Sequence, residues 1–129
     1  MIEIRNLSKS YKNVEVLNIP QLHIGKGESV GLVGNNGAGK TTLFSLILDL
    51  IQPDTGEVLL NKLQVHGHDD WKRFTTAFVD ESFLIGYLSP EEYFYFLGEL
   101  RGMNKVDVDS LVSEYEEFFN GEVIGKQVY

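Results

Sequence analysis

Cysteine is missing from the sequence. That excludes a disulfide framework and any thiolate metal site, and it fits a reducing cytoplasm. Long apolar runs are missing too: nothing in the sequence approaches the ~18 residues that cross a bilayer. The opening MIEIRNLSKS contains no apolar core of a secretory signal, so no leader is expected there. Positive charge is scarce. Lys and Arg number 11 against 19 Asp and Glu, for a formal net charge of −8. Residues 1–80 carry 8 basic and 9 acidic side chains; residues 81–129 carry 3 and 10. An acidic chain is ill suited to a nucleic-acid backbone, and no nucleic-acid partner is expected. The acidic second stretch reads as a solvated helical surface, with a surface for a basic partner as the alternative.

What is present fits one ordinary domain. The chain has 129 residues, of which 43% are hydrophobic and 23% charged. MIEIRNL alternates at period two and reads as a strand. Val14 and Val16 suggest a second short strand, and QLHI (residues 21–24) a third, closed by the turn GKGE. Ser29–Val33 is a nearly continuous apolar run ending at a glycine, the pattern of a strand buried on both faces. After Lys40 the period becomes helical, with Leu43, Leu46, Ile47 and Leu50 on one face. Pro53–Gly56 stops that helix, EVLL (57–60) resumes as a strand, and TAFV (76–79) reads as another. Ser89, Pro90 and Glu92 compose a capping box with proline at the first helical position. The helix they open has Tyr93, Phe96, Leu97 and Leu100 as its expected core face. A last helix is expected from about Asp109 to Phe119, facing inward through Leu111, Tyr115 and Phe118, with Phe119 as a further candidate, and ending at Asn120-Gly121.

The chemistry lies in GLVGNNGAGKTT. Gly34, Gly39, Lys40 and Thr41 compose G-x-x-x-x-G-K-[ST], the phosphate-binding loop. Glycines let consecutive backbone N–H groups turn into one concavity. The helix that follows offers its own N-terminal N–H groups and partial positive charge to the same anion. Lys40 supplies a point charge for the β- and γ-phosphates, and Thr41 a hydroxyl for bound magnesium. Thr42 adds a further N–H and hydroxyl. Asn35, Asn36, Gly37 and Ala38 complete the cradle.

The stretch VGLVGNNGAGKTTLFSLILDLIQPDTGEVLL resembles the nucleotide loop, first helix and following turn of the ATP-binding domain of ABC transporters. IRNLSKSYKN resembles that family's opening strand, which implies that Tyr11 stacks on adenine and Val16 packs beside it. LIGYLSPEEYFYFLGELRGM resembles a later helix start, with Leu88, Ser89 and Glu92 in the matching places. The likeness is strongest over residues 30–60 and loosest after Met103. The family's signature turn, and the later strand carrying a magnesium Asp, a catalytic Glu and a switch His, have no match. His23, His66 and His68 come too early for that histidine and are read as surface or loop residues.

The resemblance therefore implies an α/β phosphate-loop fold of ABC type, in part: antiparallel strands, a phosphate-loop strand–helix unit, and part of a helical subdomain. The expected organisation is one truncated ATP-binding domain over 1–129. Its nucleotide core would be 1–80 with the loop at 34–41, and 81–129 would hold the Q-loop and partial helical subdomain. Expected cofactors are ATP and Mg2+. Expected partners in the complete protein are an integral-membrane transporter subunit and a second ATP-binding subunit, head to tail. The expected location is the inner face of a bacterial cell membrane, on the cytoplasmic side. A non-transport ABC ATPase of ribosomes or chromosomes, a different phosphate-loop NTPase, and an inactive remnant are the alternatives.

TAFVDES (76–82) decides whether a catalytic carboxylate is present. Read as a catalytic strand, it would make Glu81 the general base. Counted back from Leu88-Ser89, the resemblance instead puts the family's Q-loop glutamine on Asp80, with Glu81 its neighbour. Asp80 and Thr41 are then the candidate magnesium ligands, and no catalytic residue is expected in this chain. A carboxylate can reach magnesium through water but cannot donate as an amide does.

Overall fold

The computed structural model describes residues 1–80, 82 and 84–120. Glu81, Phe83 and residues 121–129 lie outside the described residues, so the expectations for Glu81 and Gly121 are not addressed. The chain divides into two compact units, Met1–Ala77 and Phe78–Tyr129.

The first unit is built on an antiparallel sheet. β1 (Ile2–Tyr11) lies between β2 (Val14–Ile24) and β3 (Thr55–Leu60), and β4 (Leu63–Gln64) pairs with β3, giving the order β2-β1-β3-β4. Period two in the sequence becomes one buried face: Ile4 and Leu7 of β1 meet Val58 and Leu60 of β3 in the core. The two short strands expected around Val14 and QLHI are one strand running through Pro20. A proline lacks the ladder donor but is tolerated on an edge, and β2 is an edge of this sheet. The hairpin turns are Lys12-Asn13 and Asn61-Lys62, all four residues at positive φ, the geometry that matches the twist of the flanking strands.

One helix, α1 (Lys40–Ile47), packs on this sheet through Leu43, Leu46 and Ile47. It ends before Leu50, which is half-exposed rather than part of the core face. Trp71 completes the core from a 3-10 turn at Asp70–Phe74. Its indole donates to the carbonyls of Val65 (3.1 Å) and His68 (2.7 Å). Two expected strands do not pair. Ser29–Val33 and Thr76–Val79 belong to no ladder among the described residues, and Val33 is 94% exposed. An apolar run becomes a strand only where a neighbour takes up its N–H and C=O groups. The four-stranded sheet offers neither run such a neighbour.

The second unit is helical. α2 (Pro90–Leu100) starts with both halves of the expected capping box: Glu92 N donates to Ser89 Oγ, and Ser89 N to Glu92 Oε2. Its inward face is not the expected one. Phe94, Tyr95 and the buried Gly98 turn toward α3, whereas Phe96, Leu97 and Leu100 are exposed. Gly98 explains the choice, since a Cβ there would strike Val108 Cγ2, so α2 and α3 approach closely at that point. α3 (Lys105–Glu114) begins earlier than expected, because Asn104 and Asp107 compose a second capping box. It breaks at Tyr115 and is followed by the single turn α4 (Glu116–Phe119). Val108 and Val112 are the buried positions, and Leu111, Tyr115 and Phe118 face solvent, contrary to the expected face. Phe119 packs edge-on to Phe94, with ring centroids 5.7 Å apart. The Tyr95 hydroxyl donates toward Asp109 (2.7 Å) and Glu91 (3.1 Å); the Asp109 carboxylate above all holds its pKa well above the usual phenol range.

Candidate functional site

The core of the first unit sets the position of the phosphate loop. β2 lies beside the start of α1, and Gly39 is the helix N-cap in a left-handed conformation, φ +86°. Only glycine fits there comfortably. A Cβ would stand 2.6 Å from the carbonyl oxygen of Val16, and the positive φ would strain any other residue. Gly37, at φ +85°, makes the preceding turn, and Ala38 N donates to the Asn35 carbonyl at 3.1 Å. The first intrahelical bond runs from Leu43 N to Gly39 O, 2.9 Å. The N–H groups of Gly39, Lys40, Thr41 and Thr42 therefore have no acceptor within the helix and point out of its first turn.

Lys40 folds back over the loop. Its Nζ donates to the carbonyls of Gly34 (2.5 Å) and Asn35 (2.8 Å). Those two bonds hold the ammonium at the rim of the loop, beside the helix N-terminus. A positive charge, a positive helix end and a row of free N–H groups converge on one place, an arrangement suited to a polyanion.

A cleft of about 450 Å³ opens at this place, lined by Tyr11, Val16, Asn36, Gly37, Gly39, Lys40, Thr41 and Thr42. Its volume is within the usual range for small-molecule sites. Tyr11 reaches it from the end of β1, at the mouth of the first hairpin, and is 48% exposed. The Lys9 ammonium lies 5.6 Å from that ring's centroid and is bonded to Asp54 at 3.1 Å. Thr41 is exposed at the first turn of α1. Of the loop residues expected from the sequence, Gly34 and Asn35 take part as the carbonyls under Lys40, and Ala38 as a turn donor.

Asp80 belongs to the second unit. Its carboxylate accepts from Ser82 N at 2.7 Å and from the Ser82 hydroxyl. These bonds, the hydroxyl's first, hold its pKa below the ordinary 3.8. Among the described residues no group of three or more His, Asp and Glu is arranged to hold a metal ion. His66 lies in the turn after β4, a loop residue as expected, with its side chain 9% exposed and paired with Asp49. Histidines in a polar stretch carry no periodic signal of such a pairing.

Comparison with known proteins agrees with this geometry. The family model described as ABC transporter matches residues 17–123. A sulfate/thiosulfate import ATP-binding protein, CysA of Pseudomonas putida, is 44% identical over 68 residues, covering 53% of this chain and 21% of that protein. The ABC transporter ATP-binding protein YtrB of Bacillus subtilis is 42% identical over 73 residues, 57% of this chain and 25% of that protein. The chain thus spans about a fifth to a quarter of the length of these relatives. Among solved structures, the ATP-binding cassette MJ0796 in a dimeric post-hydrolysis state superposes with TM-score 0.79 at 23% identity, over 98% of this chain and 61% of that one. A further dimeric structure of that bacterial cassette gives TM-score 0.75 at 26% identity, over 93% and 57%. No helix among the described residues is long and apolar enough to cross a membrane. With the phosphate-loop motif, the cleft above it and a family match over most of its length, the chain belongs to the ABC transporter family, as part of an ATP-binding domain.

Proposed function

We propose that the cleft over residues 34–42 binds ATP with Mg2+, and that the complete protein uses this binding, followed by hydrolysis, to drive a membrane transporter subunit. One observation carries the reading: eight of the eleven residues expected at the adenine and phosphate ends of a nucleotide line a single cleft. The free N–H groups of the first turn of α1 and the Lys40 ammonium would take the phosphates. Tyr11 offers a ring face and Val16 an apolar edge to a base. Thr41 would bind the metal, whose chemistry is to neutralise the phosphate charge. By the resemblance, Asp80 would take the place of the coupling glutamine.

By the resemblance, the catalytic carboxylate would lie in a later strand that has no match in this sequence. The chain as it stands is a binder, and turnover belongs to the complete protein with its second ATP-binding subunit, at the cytoplasmic face of the membrane. Titration of the 129-residue chain with a fluorescent ATP analogue and magnesium tests this. Saturable, weak binding is expected. Lys40→Ala should weaken it at least about tenfold, since a charge-assisted contact to phosphate is worth ~1.5–3 kcal/mol. Robust ATP turnover by these 129 residues would overturn the reading.

A further inference from the structure

Three local choices at the far end of α1 are individually unfavourable. Asp49 puts a negative charge just past a helix C-terminus, where the dipole favours a cation. It also adopts φ +56°, which costs a non-glycine residue energy. His66 buries its Nε2 without a hydrogen-bond partner among the described residues. A single contact unites them: His66 Nδ1 donates to Asp49 Oδ1 at 2.8 Å, with the two side chains 9% and 19% exposed. Gln52 Nε2 donates to the same oxygen at 2.9 Å. Where several local preferences are overridden at one spot, the compensation is usually functional.

The backbone on the His66 side is firmly held. Val65 N donates to Val58 O of β3 at 3.0 Å, and the Val65 carbonyl accepts from the Trp71 indole and from His68 N. His66 therefore projects from the sheet and its buried tryptophan, and Asp49 from the end of α1. The apolar packing of Leu43, Leu46 and Ile47 presses α1 onto the sheet, but such packing is non-directional. It fixes depth better than rotation or axial slide. The Asp49–His66 hydrogen bond is directional. It pins the helix about its own axis at one end, while the opposite end presents Gly39–Thr42 to the cleft. A helix as short as Lys40–Ile47 transmits such a rotation as a rigid rod.

We propose that Asp49 and His66 are positioning residues for the phosphate cradle: their hydrogen bond sets the rotation of α1 and so the direction of the N–H groups at its other end. This rests on the nucleotide reading above. The test uses the whole chain, the fluorescent ATP analogue with magnesium, and the backbone amide resonances of residues 39–42. His66→Phe, which fills the same space without a donor, should weaken binding about two- to tenfold, a usual range for coupling through a packed element. It should also shift those four amides without nucleotide. Asp49→Asn retains the accepting oxygen and should bind within about twofold of the parent chain. If His66→Phe does not fold by circular dichroism, His66→Ala is read in the same way at a temperature where it does. Unchanged affinity and unchanged amides, with Lys40→Ala still impaired, overturn the positioning role alone. If Lys40→Ala also binds normally, the nucleotide reading fails and the positioning role falls with it.

Discussion

Asp54 shows how one side chain secures the entry to the site. It follows the proline that ends the α1 segment, and its carboxylate accepts from Lys9 Nζ at 3.1 Å and from Ser10 N at 2.6 Å. It thereby ties the start of β3 to β1 next to Tyr11, where β1 carries its register shift. The Lys9 hydrogen bond first, then the Ser10 N–H, lower its pKa from the ordinary 3.8. A carboxyl that binds its proton more weakly folded than unfolded adds stability above its unfolded value. That stability is lost as pH falls through the folded value. Asp69, bonded to Lys72, is shifted the same way. The urea midpoint is therefore expected to hold steady at neutral pH and to fall on acidification below about pH 4. Asp54→Asn should flatten part of that fall, and equal slopes in the two proteins would show that the contact contributes nothing. The sequence placed Lys40, Thr41 and the glycines because a phosphate loop is written in consecutive residues. It could not place Asp54 or the half-buried His66, whose partners lie 45 and 17 positions away.

At the scale of elements, legibility followed how local the determining interaction is. Ser89 and Glu92 begin α2 where expected, because a capping box is closed within four residues. The glycine-free hairpins at Lys12-Asn13 and Asn61-Lys62 carry no usual turn signature, and β4 went unforeseen for that reason. In α2 two apolar stripes compete, and only the close approach at Gly98, set by Val108 of another helix, decides between them. The same logic applies to Ser29–Val33. Its composition is that of a buried strand, yet Val30, Leu32 and Val33 are exposed because pairing depends on a neighbour that composition cannot supply. An unpaired β-prone run of this kind is an aggregation hazard. Val33→Lys is expected to leave the urea midpoint of the chain within about 0.5 kcal/mol of its original stability, as for other surface changes. It should at the same time lower light scattering at high protein concentration. A large loss of stability would mean that Val33 is packed in solution.

For the whole molecule, the two units differ in what holds them. Met1–Ala77 encloses nine buried apolar residues, from Ile4 to Trp71, between a four-stranded sheet and α1. Among the described residues the second unit has two, Val108 and Val112, with Phe94, Tyr95, Met103 and Phe119 packed around them. Folded stability grows with the apolar area withdrawn from water, at ~25 cal/mol per Å². A pair of buried valines is far below what sustains a small domain unaided. Unfolding should therefore proceed in two steps, the helical unit first. The sequence provides the means to see it. Its single tryptophan, Trp71, is 4% exposed in the first core, so indole fluorescence reports that unit alone. The longer helices, α2 and α3, lie in the second unit, so far-ultraviolet circular dichroism near 222 nm reports mainly on them. In a urea titration the dichroism is expected to fall at lower denaturant than the tryptophan emission shifts red. Addition of ATP and magnesium should then move the fluorescence transition to higher urea, by mass action on the unit that carries the phosphate loop. Coincident transitions by both probes would show a single cooperative unit.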